Sequence, residues 1–113
     1  MRDLAPAIVR QRLVVEGIVT SPITAEPIVE YLTTVGALAQ MRVLLDPVTH
    51  RSPRYGWAGW VHWEASGAHF YAWDTPVLFF SVDMYACKPF EPGLIVDFTR
   101  RFFRVSDVVS YGF

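Results

Sequence analysis

The chain has 113 residues, 52% of them hydrophobic and 15% aromatic, with a formal charge of −1 and a sequence pI near 6.3. That length suits one domain over residues 1–113, and the composition suits a packed core and excludes a disordered chain. No basic stripe offers itself to nucleic acid, the single Cys87 allows no internal disulfide, and no apolar run is long enough for a membrane span.

The N-terminal stretch carries Asp3, Arg10 and Arg12 and no uninterrupted apolar run, so it does not read as a signal peptide, and a cytoplasmic location is expected. Residues 11–19, QRLVVEGIV, are rich in β-branched side chains and predict a strand that ends before Ser21-Pro22. Thr24 is placed to cap a helix with Pro27 in its first turn, where a missing N–H does no harm. Ile28, Tyr31, Leu32 and Val35 share one helical face, and Gly36 is expected to stop the helix. Residues 39–45 read as a second strand, and 46–54, with two prolines, as a loop.

The segments 56–64, 68–73 and 77–85 read as a β-meander with turns at Glu64 to Gly67 and at Asp74-Thr75-Pro76. A helix is expected over 92–103 with Leu94, Ile95, Phe98 and Phe102 inward, followed by a short strand near 104–109. The expected order β-α-β-β-β-α-β implies an α+β two-layer sandwich, one mostly antiparallel sheet with helices on one face.

Parity divides that sheet. A symmetric first turn sets His62 opposite His69, Trp60 opposite Tyr71 and Val61 opposite Phe70. A second turn centred on Thr75 sets Phe79 beside Tyr71 and Ser81 beside His69. One face then carries Val61, Trp63, Phe70, Ala72, Leu78, Phe80, Val82 and Met84, apolar enough to lie under the helices. The other carries Trp60, His62, His69, Tyr71, Trp73, Phe79, Ser81, Asp83 and Tyr85, with Cys87 in line if the strand continues. This mixed face suits a dimer interface between two sheets, a ligand wall, or both.

No Gly-rich phosphate loop, zinc-type cysteine pair or His-Glu-x-x-His motif occurs. His62, His69 and Asp83 can be read as a cation site, and His69, Ser81 and Asp83 as a nucleophile relay. Hydrogen bonding within an interface is the commoner use of such neighbours, so no metal is expected. Cys87 reads either as a small buried apolar residue or as a proton donor at a site mouth. The exposed rings suit a cationic ligand, because aromatic faces attract ammonium or sulfonium.

From residue 55 onward the order of features resembles the short prokaryotic S-adenosylmethionine decarboxylases. The likeness rests on Tyr55-Gly56 with Gly59, on Ala68-His69-Phe70-Tyr71-Ala72-Trp73 followed by Pro76, and on Val82-Asp83-Met84-Tyr85-Ala86-Cys87. The opening strand, Arg12 to Glu16, adds a weaker match. The resemblance implies the same α+β fold and chains that associate through their sheets. It also implies cleavage before a serine that becomes a pyruvoyl group, the electron sink for loss of carbon dioxide on the way to spermidine. The family cysteine donates a proton, and a second histidine assists cleavage.

This chain departs from the pattern at two places: Ala68 stands where the serine is expected and Trp73 where the second histidine is expected. The resemblance therefore implies a relative that binds S-adenosylmethionine or a related cationic molecule through Trp60, His62, Tyr71, Trp73 and Asp83, without self-processing and without a cofactor. His69 and Cys87 are then the acid–base candidates. The residues leave open whether it is an enzyme; if so, it is a lyase or another enzyme acting on S-adenosylmethionine. Two alternatives stand beside this. Ser66 can be the cleavage serine of an active pyruvoyl decarboxylase, or the chain can be a non-catalytic partner of a processed paralogue.

Overall fold

A computed structural model describes residues 2–113; residue 1 of the expected domain lies outside them. In chain order the elements are β1 (Gln11–Ile18), α1 (Ala25–Leu38), β2 (Val43–Ser52), β3 (Gly56–Trp63), β4 (Ser66–Trp73), β5 (Phe79–Ala86), α2 (Pro92–Phe103) and β6 (Val108–Gly112). The strands form one sheet in the order β2-β3-β4-β5-β1-β6, antiparallel at every pairing. The architecture is the expected α+β sandwich. Its order, β-α-β-β-β-β-α-β, carries a strand for each of the six segments expected to form one, one more than the order β-α-β-β-β-α-β holds.

The boundaries differ most around residues 39–54. Ala39 and Gln40 belong to the end of α1, with Gln40 in the left-handed region, so β2 begins only at Val43. It then runs through the stretch expected to be a loop. Pro47 is tolerated because β2 is an edge strand and its register with β3 shifts between Leu45 and Val48. Gly36 does not end α1. It lies inside the helix and is buried because Trp63 packs against it, where a Cβ would stand 2.9 Å from Trp63 Nε1. Thr24 holds the N-cap position, although its side chain makes no capping hydrogen bond.

In α2 the inward face runs along Ile95, Thr99 and Phe102. Leu94 is 52% exposed, because it sits one residue, about 100° of helix, away from that stripe. Arg104, at φ 56°, ends α2 in a left-handed turn, which delays the last strand to Val108 and seats it beside β1. Both helices cover the same sheet face. Val61, Trp63, Phe70, Ala72, Phe80, Val82 and Met84 are buried there, with Leu78 half-buried, as parity requires. Tyr31 of α1 centres the layer, with the rings of Phe70, Phe98, Phe102 and Phe103 all within 5.7 Å of its own. No helix among the described residues is long and apolar enough to cross a membrane.

Candidate functional site

Among the described residues no layer covers the face away from the helices. It carries Trp60 and His62 from β3, His69, Tyr71 and Trp73 from β4, and Phe79, Ser81, Asp83 and Tyr85 from β5. All of these share one side because side chains alternate along each strand. The expected partition of residues is therefore correct, while the expected partners are not.

The first hairpin turns on Glu64 and Ala65 alone, with Trp63 paired to Ser66. That tighter loop slides the register by two residues: Trp60 faces His69, His62 faces Gly67 and Ala58 faces Tyr71. At β4–β5 the shift is again two residues, so His69 faces Asp83 and Tyr71 faces Ser81. An even shift exchanges partners and preserves faces. Ala65, at φ 53°, takes the left-handed conformation within that turn.

These pairings decide between the candidate chemistries. His62 and His69 do not meet; Trp60 packs against both, with ring centroids 5.6 and 6.5 Å away. Among the described residues no group of three or more His, Cys, Asp or Glu is placed to hold a metal ion. Nor does the relay assemble, because the Ser81 hydroxyl donates to Glu16 at 2.8 Å. His69 instead stacks on Tyr71, with centroids 6.1 Å apart and ring planes 11° from parallel.

Asp83 is engaged by a residue that sequence reasoning did not single out. Arg12 of β1 donates from Nε to Oδ1 at 2.9 Å and from Nη2 to Oδ2 at 2.8 Å. This two-pronged bond holds the guanidinium protonated, through the hydrogen bond first and the charge second. Parity placed Arg12 and Asp83 on faces of separate strands. Only the sheet order, which sets β1 beside β5, brings them together.

Gly67 matters by having no side chain. It lies between His62 and Tyr85 in the cross-strand row, and a Cβ would stand 2.9 Å from the Val61 carbonyl oxygen. The gap it leaves opens a depression of about 470 Å³, lined by Arg12, His62, Ser66, His69, Asp83 and Tyr85 among others. Trp60, Tyr71 and Trp73 lie further along the same face and are not part of its lining. Cys87 falls just beyond the end of β5 and lines a second depression of about 290 Å³ with Glu64, Ala65, Ser66 and Lys88. Ala65 and Ser66 are common to both, and the Cys87 N–H donates to Ser66 Oγ at 3.0 Å.

Ala68 is completely buried on the helix side, with Val61 and Met84 as its neighbours across the sheet. It therefore faces away from His69, Asp83 and the depression.

No protein-family model matches the chain, and no curated protein matches it by sequence. A solved structure does share its fold. The crystal structure of the adenosylmethionine decarboxylase from Aquifex aeolicus VF5 is similar over 94% of this chain and 89% of its own, with a TM-score of 0.75 and 14% sequence identity.

Proposed function

We propose that this chain is an S-adenosylmethionine decarboxylase-like protein that binds S-adenosylmethionine, or a related cationic small molecule, in the depression over Gly67. The observation that carries this reading is the gap itself. It opens on a sheet whose fold matches an adenosylmethionine decarboxylase, and it is walled by His62, His69 and Tyr85 with the Arg12–Asp83 pair at one side. Imidazole and phenol rings offer π faces to a sulfonium or ammonium group. Asp83 contributes less free charge than the sequence suggested, because Arg12 already opposes it.

The fold raises the question of a pyruvoyl group. Position 68 does not fit one: alanine has no hydroxyl, and its side chain is packed in the core. Position 66 does fit, and this favours a second reading. Ser66 is half-buried at the start of β4, follows the left-handed Ala65, and touches the backbone of the one cysteine. A pyruvoyl group held there would supply a carbonyl electron sink for loss of a carboxyl group. Cys87 would then stand next to it as the proton donor.

The two readings part on one measurement. An intact-mass spectrum of the purified chain is expected to show a single unbroken polypeptide, and a thermal-shift titration is expected to show stabilisation by S-adenosylmethionine. Two fragments divided between Ala65 and Ser66, absent in a Ser66→Ala variant, would establish the decarboxylase reading instead. A whole chain that none of S-adenosylmethionine, its decarboxylated form or its demethylated form stabilises would overturn the leading one.

The open face also supports pairing of two copies through their sheets. Ile18, Tyr71, Tyr85, Val109 and Tyr111 are all exposed on it. An apolar patch of this kind on one side of a sheet is ordinarily covered.

A further inference from the structure

We propose that Arg12 reads a carboxylate on the ligand, so that the site prefers molecules that keep their carboxyl group over those that have lost it. The inference deepens the proposed function and rests on its claim that an S-adenosylmethionine-like molecule occupies the depression.

Place is the first argument. A further depression of about 490 Å³ adjoins the one over Gly67, and Arg12 and Tyr85 line both. Arg12 thus stands at the junction of a longer groove. Its side chain is 47% exposed, open enough to meet a ligand.

Orientation is the second. Asp83 takes Nε and Nη2, and the Phe113 ring lies 5.1 Å from the guanidinium carbon. Among the described residues, Nη1 donates to no protein acceptor. A guanidinium gripped along one edge and stacked on a ring has lost most of its rotamer freedom before any ligand arrives. The entropy of ordering it is therefore not charged to binding.

Charge is the third. The joined groove is lined by three guanidinium groups, Arg2, Arg10 and Arg12, against two carboxylates, Asp3 and Asp83. Asp3 is held by Arg10 as Asp83 is held by Arg12. Among the side chains this leaves one positive charge in excess, which suits an anionic group on the ligand.

The same geometry bears on the reaction. Carboxyl loss drains negative charge out of the carboxylate. An arginine bound to that group stabilises the reactant more than the transition state, which raises the barrier. Arg12 thus suits a protein that holds a carboxylate and does not remove it.

The test compares S-adenosylmethionine with its decarboxylated form by calorimetric titration against the wild-type protein and the Arg12→Gln and Arg12→Lys variants. Wild type is expected to bind the carboxylate-bearing ligand about tenfold more tightly, the order of one charge-assisted hydrogen bond. Arg12→Gln should bring the two affinities within about twofold of each other by weakening the first alone. Arg12→Lys, with the charge but no fork, should keep only part of the preference. If wild type binds both ligands equally, or if Arg12→Gln weakens both equally, Arg12 reads no carboxylate although the binding function stands. If wild type binds neither, the proposed function and this inference fall together. Should Arg12→Gln not fold, the wild-type comparison and Arg12→Lys still decide.

Discussion

The backbone N–H of Cys87 donates to the hydroxyl oxygen of Ser66 at 3.0 Å, tying the end of β5 to the first residue after the tightest turn in the sheet. The bond joins residues 21 apart in sequence and fixes where the chain leaves β5. Next to it, Ala65 at φ 53° sits in a conformation that costs an L-residue about 1 kcal/mol. A strained residue and a well-placed hydroxyl are therefore adjacent, and both line the two depressions.

Opposite substitutions at these two positions should act in opposite directions. Ala65→Gly removes the left-handed penalty and is expected to raise the melting temperature by about 4 °C, the equivalent of about 1 kcal/mol at this chain length. Ser66→Ala leaves a half-buried N–H without its acceptor and is expected to lower it by a similar amount. Differential scanning calorimetry reads both. A fall with Ala65→Gly would mean that the turn is not strained in solution.

Gly36 gives a sharper test of packing against propensity. Glycine to alanine inside a helix ordinarily gains about 1 kcal/mol. Here the new Cβ would stand 2.9 Å from Nε1 of a Trp63 that is fully buried and has no hydrogen-bond partner with which to re-form its contacts. Overpacking of this kind costs about 1–3 kcal/mol, so Gly36→Ala is expected to destabilise by about 1 kcal/mol net. Urea unfolding measures it, and stabilisation would show that Trp63 moves aside freely.

Much of this architecture was legible in the sequence because it depends on local period. Alternation alone separated Phe70, Phe80 and Val82 from His69, Tyr71 and Asp83, and helical spacing alone found Ile28, Tyr31, Leu32 and Val35. What was not legible depends on turn length and on neighbours distant in sequence. The register slid by two because a loop of Glu64 and Ala65 carries no glycine to announce it. β2 continued through Pro47 because an edge strand forgives a missing donor, and edge position is a property of the whole sheet. Arg12 escaped notice for the same reason. It reads as a generic charged residue in β1 until β1 is known to lie against β5.

Pairing of two copies through the open face should respond to charge placed on it. Tyr71→Lys combined with Val109→Lys puts like charges on both sides of a two-fold contact, and both positions are solvent-exposed in the single chain. Size-exclusion chromatography with light scattering is expected to show a dimer for wild type and a shift of at least tenfold towards monomer for the double variant. Its circular dichroism spectrum should be unchanged. A wild-type protein that remains a monomer at about 100 μM would remove the sheet face as an interface, since contacts of ordinary size hold well below that concentration.

Alkaline stability isolates the buried centre of the core. The Thr99 hydroxyl donates to the Ile95 carbonyl at 2.7 Å, so its one proton is spent, and Tyr31 must be the donor in the 2.7 Å bond between the two hydroxyls. Burial pushes the Tyr31 phenol well above its ordinary value of 10.0, and the bond to Thr99 only partly offsets this. Above about pH 10 the unfolded chain therefore loses a proton that the folded chain keeps. The unfolded state then binds fewer protons, and stability must fall as pH rises. One such group contributes a slope of about 1.4 kcal/mol per pH unit. Tyr31→Phe should cost about 1 kcal/mol at pH 8 for the lost hydrogen bond, yet show the shallower decline between pH 10 and 11. Thr99→Val, which leaves the Tyr31 hydroxyl buried with no acceptor, should be the more costly of the two at pH 8. Melting curves of the three proteins from pH 8 to 11 carry the test; parallel declines for wild type and Tyr31→Phe would mean that the phenol ionises alike in both states.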